Sequence, residues 1–562
     1  MKHQKKFKQL FLILLCMFLV LTGAYGKDGQ NPTIDEVTRL TALGKVWGLL
    51  KYYHPEVAQG EIDWDAVLIS IIPAVRAAED FDSFNQEIDN LIVQAGDVTI
   101  EEYNPHTPAH PNEALFKWTK DSSLFNNDLR KKLKLVYKKH VPAENYYVQT
   151  NPYAGNTLYG NEKQYLTPLY PDENYRLLGL FRYWNIIHYF YPYKEDMDRD
   201  WEPVLEEFIP RLINTEDIFD YHLTIKELTT RLNDSHAFTN SPVIYYHFGY
   251  YFAPFELRYI EGKTIVTRVF SSLMNSPDDV QVGDIILKCH DTDIDTFRND
   301  VRKYVQASNE PTLERNINEL VLRGQSTQLP FTLLRNGQTI NVTVPANYAD
   351  IYADAMEAAD LALDKWKILP GNIGYVHMGI LEPEDVAQMM SELLTTKAII
   401  FDIRNYPNGT LYDISEYLNP ELTEFFFLTK PDMDYPGSFI ASEPYVTGPW
   451  DGSNPDYYRG RVVMLIDERT QSHAEFTTMA LQTAPDATII GSQTAGADGN
   501  VSYLYLPGYI YTYFTGIGIY YPDGFPTQRI GIVPDITVRP TVAGIQQGRD
   551  EVLQKAIDFI EN

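Results

Sequence analysis

The chain has 562 residues, 44% apolar and 13% aromatic, enough for several cored domains and too apolar for a disordered or fibrous chain. Lys and Arg number 47 against 76 Asp and Glu, a net charge of −29 that argues against nucleic acid as a partner. Its two cysteines, Cys16 and Cys289, exclude a disulfide scaffold and a cysteine-based zinc cluster.

The first thirty residues read as an export signal. Lys2, Lys5, Lys6 and Lys8 precede an unbroken apolar run from Leu10 to Leu21, and Ala24-Tyr25-Gly26 fits a small-x-small cleavage site. Twelve residues span only about 18 Å as a helix, short of the ~30 Å hydrocarbon core of a bilayer. No later stretch is long and apolar enough to cross one. The expected mature chain is exported, periplasmic or extracellular, with no stable membrane insertion.

An internal repeat follows. Shifting the sequence by 137 residues lays Arg39–Asp80 on Arg176–Asp217 without a gap, with 14 of 42 positions identical. The matches include Trp47/Trp184, Tyr52/Tyr189, Pro55/Pro192, Asp63/Asp200, Trp64/Trp201 and Pro73/Pro210. Each copy shows helical apolar spacing, a Pro break, and a second helix opening at Asp-Trp, so each predicts a helical hairpin with an aromatic core face. Residues 100–165, rich in Pro, Asn and Tyr, predict an irregular linker with one short helix near Asn127–Val141. His106 and His110 lie four apart, but Pro105, Pro108 and Pro111 deny them a helix and hence a metal pair.

From 250 to 346 the pattern changes to strands at Lys263–Phe270 and Asp284–Lys288, helices at Phe297–Ala307 and Thr312–Val321, and a hairpin through Asn336-Gly337. This order, with Val282-Gly283-Asp284 before Ile285-Ile286-Leu287, resembles a PDZ domain. The stretch matching the carboxylate-binding loop of such domains is Ala253-Pro254-Phe255-Glu256, which lacks glycine and carries an acid. After Asn372, strands (Ile373–Met378, Ala398–Ile403, Val462–Ile466, Thr488–Ile490) alternate with helices (Glu384–Leu394, Ser472–Thr483), predicting a parallel α/β core with an antiparallel extension and a closing helix near Asp550–Ile560.

Two segments of that core carry chemistry. In Arg461–Glu475 a buried strand ends, a turn follows, and Ser472 opens a helix. A serine there sits at the positive end of the helix dipole, and the next amide, from His473, can donate to an oxyanion. The same residues also read as an N-cap with Glu475 completing a capping box. The second segment, Asp402-Ile403-Arg404-Asn405-Tyr406-Pro407-Asn408-Gly409, is a glycine loop at the carboxyl end of a parallel strand, where ligands bind in such sheets. It also reads as a plain turn with Arg404 paired to a carboxylate.

These two segments, Gly491-x-x-Thr494-x-Gly496, Tyr520-Tyr521-Pro522-x-Gly524 and Gly531-Ile532-Val533-Pro534-Asp535-Ile536 occur in order behind the PDZ-like region. Together they resemble the C-terminal-processing and tricorn-type serine peptidases over about Tyr175 to Val538. The resemblance implies a multidomain α/β protein: a crotonase-like core (360–545) and a closing helix (546–562), preceded by the signal (1–26), helical repeat copies (27–99 and 166–248), linker (100–165) and PDZ-like domain (250–346). It implies Ser472 as nucleophile, and the Gly409 and His473 amides as oxyanion hole. The processing branch uses a Ser–Lys dyad, but Thr494-Ala495-Gly496-Ala497-Asp498-Gly499-Asn500 holds no lysine. His473 points about 100° away from Ser472 on the helix and is a poor base. The tricorn branch carries a Ser-His pair just before its PDZ domain, matched here by Ser235-His236: His236 is then the general base and Ser235 its orienting partner. His236 also reads as a helix-end cap. Where that branch has a supporting Glu, this chain has Gln528. The implied activity is endopeptidase hydrolysis of peptides or unfolded proteins without a metal or organic cofactor, oligomeric state left open. The alternative is a non-catalytic protein binding a hydrophobic ligand or peptide on the same fold, to which Gln528 and the glycine-poor loop lean.

Overall fold

The computed structural model describes residues 34–96, 112–138, 144–276 and 279–562; the expected export signal, its cleavage site and the His106/His110 pair lie outside them. The amino-terminal part is helical. Helices α1 (Glu36–Tyr53), α2 (Trp64–Ala77) and α3 (Phe81–Ala95) open at Asp35, Asp63 and Asp80, whose carboxylates accept from free amides of the first turn. Helix α4 (Asn127–Lys138) follows. Helices α5 (Glu173–Phe190), α6 (Glu202–Ile213) and α7 (Ile218–Thr230) then repeat the first three in length and order.

The contacts recur with the same offset. The indole N–H groups of Trp47 and Trp64 each donate to the other's carbonyl at 3.0 Å, and Trp184 and Trp201 do the same at 3.1 and 3.0 Å. Arg39 clamps the carbonyls of Ile34, Val75 and Arg76; Arg176 clamps those of Pro171, Leu212 and Ile213. The two units meet where α1 crosses α5. A Cβ at Gly48 would lie 1.9 Å from Asn185 Oδ1, so only glycine admits that approach. Residues 112–138, read from sequence as part of an irregular linker, join the same core: Phe116, Phe125, Leu129, Leu133 and Tyr137 are buried with both units.

After α7 the chain makes a short strand β1 (Phe238–Asn240), then a six-stranded antiparallel sheet: β2 (Phe255–Ile260), β3 (Lys263–Val269), β4 (Ile285–Cys289), β5 (Gln328–Arg335) and β6 (Gln338–Pro345), in the order β6-β5-β4-β3-β2, with Thr292–Asp293 pairing β4 off this path. Helices α8 (Ile294–Val301) and α9 (Glu310–Leu322) sit between β4 and β5 in sequence and close this core. The stretch 253–256, expected as a loop, is half strand: Phe255 and Leu257 alternate into the core, so pairing starts at Phe255. α8 starts three residues before the expected helix because Asp293 caps it. Helix α10 (Ala349–Leu361) leads on.

The last part is built on a six-stranded sheet: β7 (Trp366–Leu369), β8 (Ile373–His377), β9 (Ala398–Asp402), β10 (Arg461–Ile466), β11 (Thr488–Gly491) and β14 (Ile536–Thr537), in that spatial order and parallel except for β7. Helices α11 (Val386–Leu393), α12 (Leu411–Leu418) and α13 (His473–Leu481) bury one face, and α14 (Glu551–Glu561) the other, through Val552, Ala556 and Ile560. Both faces being covered, β9 and β10 are apolar at almost every position. Between β11 and β14, strands β12 (Val501–Leu506) and β13 (Ile510–Thr515) form a hairpin, and β13 pairs with β1: Tyr513 lies opposite Phe238 and Tyr511 opposite Asn240. That pairing fastens the end of the second helical unit to the α/β core.

Candidate active site

Strands β9 and β10 are adjacent and parallel, so their carboxyl-terminal loops emerge side by side. The loop after β10 runs Asp467–Gln471 and delivers Ser472 at the first turn of α13. Ser472 has φ +57° and ψ −123°, a conformation non-glycine residues avoid and which costs about 1–3 kcal/mol. Its amide donates to Ala497 O at 2.9 Å and to the Glu475 carboxylate at 3.2 Å, which hold the strained turn. The capping reading is met from both ends: Glu475 accepts the Ser472 amide, and the half-buried Ser472 side chain faces the Glu475 amide.

The loop after β9 lies against this turn. Thr470 Oγ1 donates to Ile403 O at 2.8 Å, and the Tyr406 and His473 rings lie 6.0 Å apart. Asn408 Nδ2 donates to Glu382 Oε1 at 3.1 Å and anchors the loop tip. Gly409 has φ +79° with nothing near its missing Cβ, so conformation rather than space demands glycine. Among the described residues, neither the Gly409 amide nor the His473 amide donates to a protein acceptor. Arg404 pairs with Asp402 and Asp550, so the plain-turn reading of that arginine also holds. The His473 ring lies between Tyr406 and Phe476, and its Nε2 is buried without a partner.

His236 comes from the loop between α7 and β1. Gln471 Nε2 donates to Ser235 O at 3.2 Å, so the residue before His236 touches the residue before Ser472. The imidazole Nδ1 lies 3.0 Å from Thr515 Oγ1, at the end of β13, and Thr515 Oγ1 is 3.0 Å from Asp234 Oδ1. Nε2 has no partner among the described residues, and His236 lines a cavity of about 310 Å³ with Gln471, Arg315, Phe238, Phe248 and Tyr304. Burial lowers the His236 pKa below its ordinary 6.5, against the opposing charge of Asp234.

Ser235 does not orient His236. Its hydroxyl donates to Ala495 O at 2.9 Å and accepts from the Ser308 amide at 2.8 Å, tying the loop to the 494–497 segment and to the start of α9. The side chain points away from the imidazole because Asp234 fixes the turn, accepting the His236 amide at 3.0 Å. Gln528 likewise reaches not Ser235 but Asp234 and the Tyr191 hydroxyl, both at 3.3 Å. The residues missing from the sequence reading are thus Asp234 and Thr515. Asp234 was visible two places before His236; Thr515 had no local signal, standing at the end of an alternating strand.

Behind Ser472 lie two buried acids. Burial pushes the Glu475 carboxyl up to about 7 although it accepts from Thr494 Oγ1 and the Gly496 and Ala497 amides. Burial and the Glu475 charge hold Asp498 well above the usual carboxylate range. Asp498 occupies the stretch where a dyad lysine was sought, and a carboxyl there cannot serve as that base. Arg315, on α9, donates to Glu468 O at 2.7 Å and Gln471 Oε1 at 2.6 Å, so the smaller sheet domain grips the turn that presents Ser472. Among the described residues no group of three or more His, Cys, Asp and Glu is placed to hold a metal ion.

A serine on a strained strand-to-helix turn, backed by uncommitted amides at the ends of parallel strands, is the equipment of a serine-type peptidase. Residues 372–538 match the model of peptidase family S41, and that match supports a serine-type peptidase whose substrates are peptides or proteins. Solved structures share the fold. Mature CPAF complexed with lactacystin is 15% identical with a TM-score of 0.52, over 69% of this chain and 99% of that one. Mature CPAF alone gives 15% and 0.52, over 69% and 98%.

Proposed function

We propose that the chain is an exported serine endopeptidase acting on peptides or unfolded proteins, with Ser472 as nucleophile and His236 as general base. The observation that carries this reading is the state of His236. Its Nδ1 is engaged by Thr515, its Nε2 has no partner among the described residues, and its loop is bonded to the residue before Ser472. Nε2 takes the Ser472 proton as Oγ attacks the scissile carbonyl, and the amides of Gly409 and His473 receive the oxyanion. The protonated imidazole then gives its proton to the leaving amine, and water repeats the cycle on the acyl-enzyme. No metal or organic cofactor enters these steps. The basic start and short apolar run support export; among the described residues no helix is long and apolar enough to cross a membrane.

The test is hydrolysis of an unfolded, fluorescently labelled protein by the mature chain, Ser472→Ala and His236→Ala in parallel. Each variant is expected to lose about 10³-fold or more in kcat/KM with an unchanged melting temperature. Full activity in Ser472→Ala would end the assignment. In wild type, the acid limb of kcat/KM is expected below pH 6.5, since the lowered His236 pKa keeps the base neutral to lower pH.

A further inference from the structure

Resting on the Ser472–His236 reading, we infer that Asp234, acting through the Thr515 hydroxyl, is the positioning acid of the general base, and that Gln528 holds this acid in place.

The hydrogen-bond polarity decides the chain of contacts. A hydroxyl has one proton. Thr515 Oγ1 lies 3.0 Å from Asp234 Oδ1, a carboxylate that only accepts, so the threonine proton points there. Thr515 Oγ1 is then an acceptor towards His236 Nδ1, also at 3.0 Å, which must carry the ring proton. That fixes the tautomer with Nε2 unprotonated, the form a general base needs. With Nδ1 and the hydroxyl both facing the acid, the ring is oriented as well as protonated correctly.

The environment of Asp234 supports a charge held for a purpose. It is fully buried, and among the described residues no lysine or arginine pairs with it. Its Oδ1 accepts from the His236 amide, Thr515 Oγ1 and Gln528 Nε2, and its Oδ2 from the Thr515 amide at 2.8 Å. A buried carboxylate without a cation is costly unless a positive charge forms beside it. The imidazolium made when His236 takes the Ser472 proton is that charge, one hydroxyl away. Asp234 does not take the proton; its charge opposes the lowering of the His236 pKa by burial. Gln528 is suited to its place: an amide donates to Asp234, whereas a second carboxylate 3.3 Å away would repel it. The other charged groups facing His236 across the cavity are Lys226, Arg315, Glu319 and Arg323.

The test compares kcat, KM and the pH profile of kcat/KM in wild type, Asp234→Asn, Thr515→Val, Thr515→Ser and the exchange variant Asp234→Asn/Gln528→Glu, with Ser472→Ala and His236→Ala as references. Asp234→Asn should lower kcat by about 10²–10³-fold with little change in KM, and move the acid limb to lower pH. Thr515→Val should lose about 10-fold or more, Thr515→Ser should recover most of it, and the exchange variant should exceed Asp234→Asn by restoring one acid and one amide to the pair. A purely structural role would move stability but not the acid limb. If Asp234→Asn does not fold, the threonine pair decides: Thr515→Val with wild-type kcat and pH profile overturns the inference. So does Asp234→Asn at wild-type rate while Ser472→Ala and His236→Ala are inactive. Activity in those two references would instead overturn the reading beneath it.

Discussion

The two helical units share a scaffold and differ in what their third helix releases. Helices α3 and α7 start in the same register, at Phe81 and Ile218, under the capping carboxylates of Asp80 and Asp217. α3 runs on to Ala95, while α7 stops at Thr230, two residues short of the corresponding place. The freed segment turns through Asn233, at φ +50°, whose side chain accepts the Asp198 amide at 3.0 Å. It then reads Asp234-Ser235-His236, where the first unit reads Asp97-Val98-Thr99. The aspartate stands in register in both; the histidine belongs to the second unit. On the proposed reading, chemistry resides in a few residues hung on a frame of two similar helical units, and frame and chemistry should respond separately to mutation.

The largest effect that would break this separation lies between the units. Arg182 on α5 pairs with Asp65 of α2 at 2.5 Å and with Glu162 at 3.1 Å, and Lys51 of α1 reaches Glu162 at 2.7 Å, all buried. Arg182→Met leaves two buried carboxylates with one cation, at a cost of about 3–5 kcal/mol. Denaturant unfolding should show that loss, while kcat of the surviving folded fraction stays at wild type. A fall in kcat with unchanged stability would mean that the frame and the site are one device.

A second, smaller effect belongs to the Ser472 side of the molecule. The Glu475 pKa rises from 4.5 unfolded to about 7 folded. The protonated form is favoured by folding, so its contribution is complete below pH 4.5 and is lost as pH rises through about 7, a change of about 3 kcal/mol. Glu475→Gln cannot ionise and should reduce the slope of the melting temperature between pH 5 and 8, leaving the shares of Asp498 and of the buried histidines, His236 among them. An unchanged slope would assign the pH response elsewhere, the helical units included.

Much of this was legible before the fold was in view. The Ser472 turn, the Gly409 loop and the covered parallel sheet follow from apolar runs broken at fixed places, because a strand buried on both faces must be apolar throughout. The Trp and Arg contacts of the units follow from the identity of their positions at a shift of 137. What was not legible is what side chains far apart in sequence do to one another. Thr515 reaches His236 only through the pairing of β1 with β13, and no local pattern records that register. The resemblance to the tricorn branch implied Ser235 as the partner of His236, but adjacency on a tight turn points neighbours apart, and its hydroxyl goes to Ala495. Residues 112–138 looked like linker because their aromatics lack helical period over the whole stretch, yet a large core elsewhere could bury them.

The smallest effect sharpens the comparison most, because it makes the same change at two equivalent places. Trp64→Phe and Trp201→Phe each remove one indole N–H and leave one buried carbonyl, on Trp47 or Trp184, without its donor. Each should cost about 1–3 kcal/mol, nearly equal in the two units. Their effects on kcat/KM should differ. Trp201 lies three residues after Asp198, whose amide donates to Asn233 and whose carboxylate accepts from Arg529 at 2.6 Å. That loop therefore touches both the turn that carries Asp234 and the neighbour of Gln528. If His236 is the base as proposed, a shift of Trp201 should reach it through these contacts, and Trp201→Phe should lose a few-fold in kcat/KM, whereas Trp64→Phe should lose none. Equal stability losses with unequal rates would place the division between frame and chemistry at Asp198 and Asn233. Equal rates would show that the α5–α6 hairpin is as remote from the site as the α1–α2 hairpin, leaving only the residues after Thr230 to set the geometry of His236.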